Sequence, residues 1–240
     1  MRRRIAVVGV AILLLSPASY ALDPAGPPQA LLGPGNWSLG VEYSYSETRV
    51  ALNDGVLAGA LIVDDSTRLQ ARAPYVNLRY GMCNNIDVFA RLGATIVDLP
   101  LLQEGDAGFA WGLGAAATVY HTQKLDWGLL AQFSRGQSKE HNPASVWTRA
   151  AVTQVQSLEV AAGPTYQVRE DLAAYGGVFC LLLWGDYESA LTRWDLEVDN
   201  ALGAFVGLDW CVKEDGHWSV ELQYAGATFA IATGLRWIFD

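Results

Sequence analysis

The chain has 240 residues, a formal net charge of −9, and a composition that is 51% hydrophobic with nine tryptophans. So acidic a chain lacks the concentrated Lys and Arg that phosphate binding needs, which argues against a nucleic-acid partner, and its length suits one large all-β domain. Three cysteines, an odd number, do not make a disulfide framework; free thiols at Cys83, Cys180 and Cys211 are expected, with a Cys83–Cys211 bridge as the alternative.

Arg2, Arg3 and Arg4 precede an apolar run from Ile5 to Leu15, and Ser19-Tyr20-Ala21 supplies a small-x-small cleavage site. Residues 1–21 therefore read as a cleaved secretory signal peptide, too short for a stable membrane span. Residues 22–35, with four prolines and three glycines, read as an irregular periplasmic leader, and 36–240 as a single barrel domain. Downstream of the signal no run approaches the length of a transmembrane helix. The chain instead alternates in steps of two. Trp37–Ser46 is the first such segment. Pro74–Ile96 is the plainest: Val76, Leu78 and Tyr80 share one face, and Ile86, Val88, Ala90, Leu92, Ala94 and Ile96 share it across a turn at Asn84-Asn85. That is the signature of antiparallel strands between two different environments. Further segments follow at 109–120, 125–134, 157–168, 172–184, about 200–210, 217–224 and 228–239. This makes ten strands, with eight as the alternative if the short ninth and a neighbour are misread. Short and long connections alternate, except for the brief link 225–227.

None of the apolar-parity positions in these segments is charged. A midplane Arg or Lys facing lipid costs roughly 2–4 kcal/mol, so this face reads as lipid-facing. The opposite face is rich in glycine and holds the charges Glu42, Arg79, Asp87, Arg91, Asp126, Glu159, Asp209, Glu221 and Arg236. A soluble calyx would show the reverse, with dense Lys and Glu on its solvent face. The aromatics Trp37, Tyr80, Trp127, Tyr166, Trp210, Trp218, Trp237 and Phe239 fall at strand ends beside the termini or short turns. Tyr45, Trp111, Phe133, Trp184, Tyr224 and Phe229 fall at the other ends. Two belts match the girdles of a membrane barrel, whereas core packing would not sort aromatics by strand end. Tyr75, Phe89, Tyr120, Tyr175 and Phe179 project into the bore by parity.

The chain thus resembles a small bacterial outer-membrane β-barrel, similar to the broad family of the outer membrane protein A barrel and the opacity proteins. Gly234-x-x-Trp237-x-Phe239 looks like that family's C-terminal assembly signal, with Asp240 added after the final aromatic and Ala232 where a polar residue is usual. The resemblance implies outer-membrane lipid and the barrel-assembly machinery as partners, and an outer-membrane location with both termini periplasmic.

Candidates for chemistry are few. Omptin proteases, which the strand number resembles, place acidic pairs and a His–Asp pair at the outer rim. Asp64, Asp65, Asp186, Glu188, Asp195 and His141 lie in expected outer loops, but no His adjoins an Asp in sequence. His217-Trp218-Ser219 with Glu221 evokes the His-x-Ser pair of a lipid A deacylase barrel, yet it sits at the periplasmic end. No metal spacing joins His121, His141 and His217. No catalytic residue, cofactor or metal is expected. Arg79, Arg91 and Arg236 are expected to pair with Glu42, Asp87, Asp126, Asp209 or Glu221, since buried ions need partners. The expected function is a non-enzymatic structural or surface barrel, or a narrow, weakly cation-preferring pore. An outer-rim enzyme acting on lipid A or peptides and a hydrophobic-solute conduit are the alternatives. Oligomeric state is not legible.

Overall fold

The computed structural model describes residues 26–53, 55–57, 60–62, 65–98, 105–140, 151–188, 193–226 and 228–239. The signal peptide, Asp64, His141 and Asp240 lie outside them. Ten long strands follow in order: β1 (Trp37–Asn53), β2 (Asp65–Cys83), β3 (Ile86–Asp98), β4 (Gly108–His121), β5 (Leu125–Glu140), β6 (Ala151–Arg169), β7 (Leu172–Glu188), β8 (Arg193–Lys213), β9 (Gly216–Ala225) and β10 (Thr228–Phe239). Each pairs antiparallel with its sequence neighbour, and β10 pairs with β1, so the sheet closes into a ten-stranded barrel. Closure gives every strand of the ring a partner on both sides. A small hairpin, Gly55–Leu57 with Ala60–Ile62, and a two-residue strand, Gly105–Asp106, lie beyond the ring at the end opposite the termini.

The strands outrun the alternating segments. β1 continues to Asn53, and β8 reaches 21 residues. Period-two contrast fades there because charge enters the outward face: Glu47 follows Tyr45, Arg135 follows Phe133, and Arg72 and Asp98 come next after Pro74 and Ile96. Arg72 pairs with Asp98 at 3.7 Å, and Arg135 donates to Gln154 at 2.9 Å. Once both faces are polar, hydrophobic pattern no longer reports a strand that backbone pairing still holds.

β9 and β10, with 10 and 12 residues, are the shortest strands of the ring. Above their turn β1 pairs directly with β8, from Ala51↔Glu197 to Asn53↔Asp195. The β7–β8 register shifts between Leu181 and Leu183, and such an irregularity bends a strand. It lets β8 lean over the short hairpin towards β1.

Inside, four aromatic rings sit directly across from a glycine on the adjoining strand: Tyr75↔Gly93, Phe89↔Gly114, Tyr175↔Gly207 and Phe179↔Gly203. A Cβ built on any of these glycines would overlap the facing ring or its backbone, so each ring lies against the strand next to its own. Gly203→Val should therefore cost about 1–3 kcal/mol through overpacking. It should be visible as a lower temperature for loss of the fast-migrating, unboiled gel form. Gly216→Ala is the control, because its nearest neighbours to a Cβ lie 3.7 Å away or farther.

Tyr120 departs from its expected place in the bore and is 58% exposed. The β4–β5 ladder slips between Thr118 and Tyr120, so Tyr120 pairs with Trp127 and shares its outward face. One extra residue reverses the parity that sequence alternation assumes.

Candidate functional site

Alternate positions on the strands place polar side chains on the buried face, where they meet across strands. Arg91 is 2% exposed; its Nε lies 3.0 Å from Glu42 Oε2 and its Nη1 donates to Gln132 Oε1 at 2.8 Å. Gln132 in turn donates to Glu159 at 3.0 Å, and Asn77 donates to Glu42 at 2.8 Å. Arg79 lies 3.5 Å from Asp87. Arg79 and Arg91 both approach the Phe89 ring, at 4.9 and 5.0 Å from its centroid, a cation–π arrangement. Arg236 donates to Asp209 at 3.1 Å, and His217 Nδ1 lies 3.4 Å from the same oxygen. Gln223 donates to Glu221 at 2.7 Å. All three arginines thus have carboxylate neighbours, drawn from the set expected for them.

Asp126 is engaged elsewhere. It sits at the rim with His121 Nδ1 at 2.5 Å, a pair that sequence adjacency did not show because the β4–β5 turn brings the two residues together. Asn77, Gln132 and Gln223 were also missed, although each shares the parity of the charges it bonds. Of the acids expected in outer loops, Asp186 and Asp195 are cross-strand partners in the extensions of β7 and β8. Among the described residues no three His, Cys, Asp or Glu side chains gather in a metal-binding arrangement. Cys83, Cys180 and Cys211 are free thiols.

The second half of the site comes from residues 26–36. This segment is irregular, as composition implies, but it folds into the barrel mouth beside the termini, and Pro27, Pro28, Gln29 and Leu32 are buried. Buried backbone must have its polar groups satisfied. Pro27 and Pro28 have no N–H to satisfy, and the wall supplies acceptors for its neighbours. Gly26 donates to Glu221 Oε2 at 2.8 Å and Ala30 to Thr118 Oγ1 at 3.1 Å. Leu31 and Leu32 both donate to Asp87 Oδ2, at 2.6 and 3.2 Å. Thr165 donates to the Gln29 side chain at 2.5 Å. Gly35 and Asn36 exchange backbone bonds with Gly81. Two wall glycines make the room: a Cβ on Gly128 would overlap Pro28 and Gln29, and one on Gly81 would overlap Gly33.

Two cavities flank this segment. The inner one, about 40 Å³, is walled by Gly26 and Pro27 and by Glu42, Arg79, Arg91, Tyr175, Ser219 and Glu221. The outer one, about 310 Å³, is walled by Gln29 and Leu31 and by His121, Lys124, Asp126, Asp209 and His217. Arg236 touches both. Ser219 and His217 therefore line different cavities, and His217 turns to Asp209.

The outward face carries a second group of aromatics. Trp37 packs at a tilt against Tyr80, 4.4 Å between centroids, and Trp210 against Trp218 at 6.3 Å, at the terminal end. Trp111, Phe133 and Trp184 form a second chain, at 5.6 and 6.4 Å, near the other end. Trp127, Tyr166, Trp237 and Phe239 are exposed. Between the two sets the outward residues of β1, Leu39, Val41 and Tyr43, are uncharged. Trp37 to Tyr45 spans about 27 Å along the strand, or about 20 Å once a barrel tilt of about 40° is applied.

Comparison with solved structures bears on this architecture. The outer membrane protease OmpT from Escherichia coli aligns at a TM-score of 0.53 and 11% identity, covering 88% of this chain and 99% of that one. The fold is that of an outer-membrane β-barrel. The COG4313 outer membrane channel from Pseudomonas putida F1 aligns at 0.48 and 12% identity over 91% of this chain and 100% of its own. Ail, the attachment invasion locus protein of Yersinia pestis, aligns at 0.38 and 14% over 86% and 99%. At 11% identity the likeness to OmpT is one of fold. No family model and no curated protein matches the sequence.

Proposed function

We propose that this chain is a non-enzymatic barrel of the bacterial outer membrane, with both termini periplasmic. Its lumen admits at most a small, intermittent, weakly cation-preferring current. The carrying observation is the filled bore: ion pairs, rings and the N-terminal segment leave an inner cavity of about 40 Å³, room for only a few waters at roughly 10–15 Å³ each. The charge-free outward band between two aromatic sets supports lipid around the wall, since its height approaches the roughly 25 Å apolar band of such barrels. The separation of Ser219 from His217, and the engagement of Glu221 by Gly26, support a role without catalysis. Acids exceed bases among the inward charges, so what current there is favours cations.

Planar-bilayer recordings test this reading. The expected trace is near silence with brief cation-selective events, and a large, steady, anion-selective current would overturn it. The mature protein should fractionate with outer membranes and run faster unboiled than boiled; recovery as a soluble periplasmic protein would sink the membrane assignment.

A further inference from the structure

The segment 26–36 is bound in the mouth as a ligand is bound. From Gly26 to Pro34 it joins no strand of the barrel, and its contacts are made one group at a time to wall side chains. Asp87, fully buried beneath it, accepts two consecutive N–H groups with a single oxygen. Glu221 takes the N–H of Gly26, and Gly128 is bare where Pro28 and Gln29 cross it. The prolines at 27, 28 and 34 limit the freedom the segment loses when it docks. Gly26 and Gly35, with φ of 65° and 83°, take a left-handed conformation that favours glycine. Gly33, Pro34 and Gly35 are exposed, so the hinge lies outside the seat.

We propose that the barrel mouth is a binding site for an extended, proline-containing peptide, occupied here by the chain's own residues 26–36. The bound segment is a removable stopper. Its position fixes what it stops: Gly26 and Pro27 wall the inner cavity while Gln29 and Leu31 wall the outer one. Withdrawal about the Gly35 hinge joins the two, exposing Glu42, Arg91, Ser219 and Glu221 to the solution beside the termini. This rests on the closed-lumen reading above and adds where that closure can be undone.

The test is thiol protection. Cys83, Cys180 and Cys211 are replaced by Ser, and Ser219→Cys places a reporter on the inner cavity. The unaltered segment should make this thiol slow to react with a membrane-impermeant maleimide. Deleting residues 26–32, or introducing Gly128→Leu, which crowds out Pro28 and Gln29, should make it react fast in barrels that keep their unboiled mobility. A synthetic peptide of residues 26–36 added to the deleted barrel should restore protection, and a scrambled peptide should not. Equal reactivity in intact and deleted barrels would overturn the stopper, and so would a folded deletion barrel that the peptide fails to protect. Protection restored equally by the scrambled peptide would overturn the binding site. The barrel reading itself fails on a separate observation, recovery of the unaltered chain in the soluble fraction, which overturns both.

Discussion

Deletion of Gly234–Asp240 should leave no mature barrel in the outer membrane, only degraded or periplasmic chain. β10 is the seam of the ring. Its residues Gly234–Phe239 pair with Glu42–Trp37 of β1 on one side, and Gly234–Trp237 with Ser219–Gly216 of β9 on the other. Removing them opens two rows of backbone N–H and C=O groups at the level of the uncharged outward band. In hydrocarbon each unsatisfied group costs several kcal/mol, so the loss along two edges exceeds the whole stability of an ordinary domain. The deletion also takes Arg236 from Asp209 and Trp237 and Phe239 from the terminal aromatic set. Trp237→Ala with Phe239→Ala keeps the backbone ladder and should lower the yield of inserted barrel without abolishing it. Membrane fractionation with boiled and unboiled gels reads both outcomes. Normal insertion of the deletion would show that the resemblance of this terminus to an assembly signal is misleading.

The barrel was legible because its two faces meet different media. In Pro74–Ile96 every second residue is apolar, and those positions, Val76, Leu78 and Leu92 among them, are the exposed ones, while Asn77, Arg79, Asp87 and Arg91 are buried. That inversion of the usual soluble pattern is what a lipid-facing wall requires, and it is visible in the sequence as an uncharged apolar parity. The set of charges on the other face was legible with it, but which arginine meets which carboxylate was not, because Arg91–Glu42 and Arg236–Asp209 each reach across an intervening strand.

What was not legible has no period. The segment 26–36 shows only prolines and glycines, which mark it as irregular but not as seated. Its seat is built from Asp87, Thr118, Gly128, Thr165 and Glu221, spread over five strands. Gly128 on an inward face looked like one more small luminal residue, until the close backbone crossing gave it a reason. The slip at Thr118–Tyr120 was invisible for a similar cause: a single bulged residue carries no compositional mark, yet it turns Tyr120 from the bore to the outside. The extensions of β1, β2 and β8 away from the termini were missed because their sequence does not alternate, although backbone pairing continues through them.

Replacing Arg91 with Ala should destabilise the barrel by about 3–5 kcal/mol, because it removes one partner from a buried charged network rather than the whole network. Arg91 is 2% exposed and touches two arms of that network at once, Glu42 at 3.0 Å and Gln132 at 2.8 Å. Through Gln132 it reaches Glu159, which is itself buried. Without the guanidinium, Glu42 keeps only the neutral Asn77 amide among the contacts described above, and the Phe89 ring loses one of its two cations. The inner cavity also gains the volume of the lost side chain and an uncompensated negative charge. Stability should therefore fall while cation preference rises, a combination that simple loosening of the wall would not produce. Arg91→Lys separates the two causes: it restores the charge but not the planar fork that spans Glu42 and Gln132, so it should recover the ion selectivity and only part of the stability. Urea unfolding followed by gel mobility measures the first quantity, and reversal potentials in asymmetric salt measure the second. Unchanged stability in Arg91→Ala would show that the luminal pairs do not hold the barrel. A shift toward anions would show that the surrounding carboxylates do not face the permeating ion.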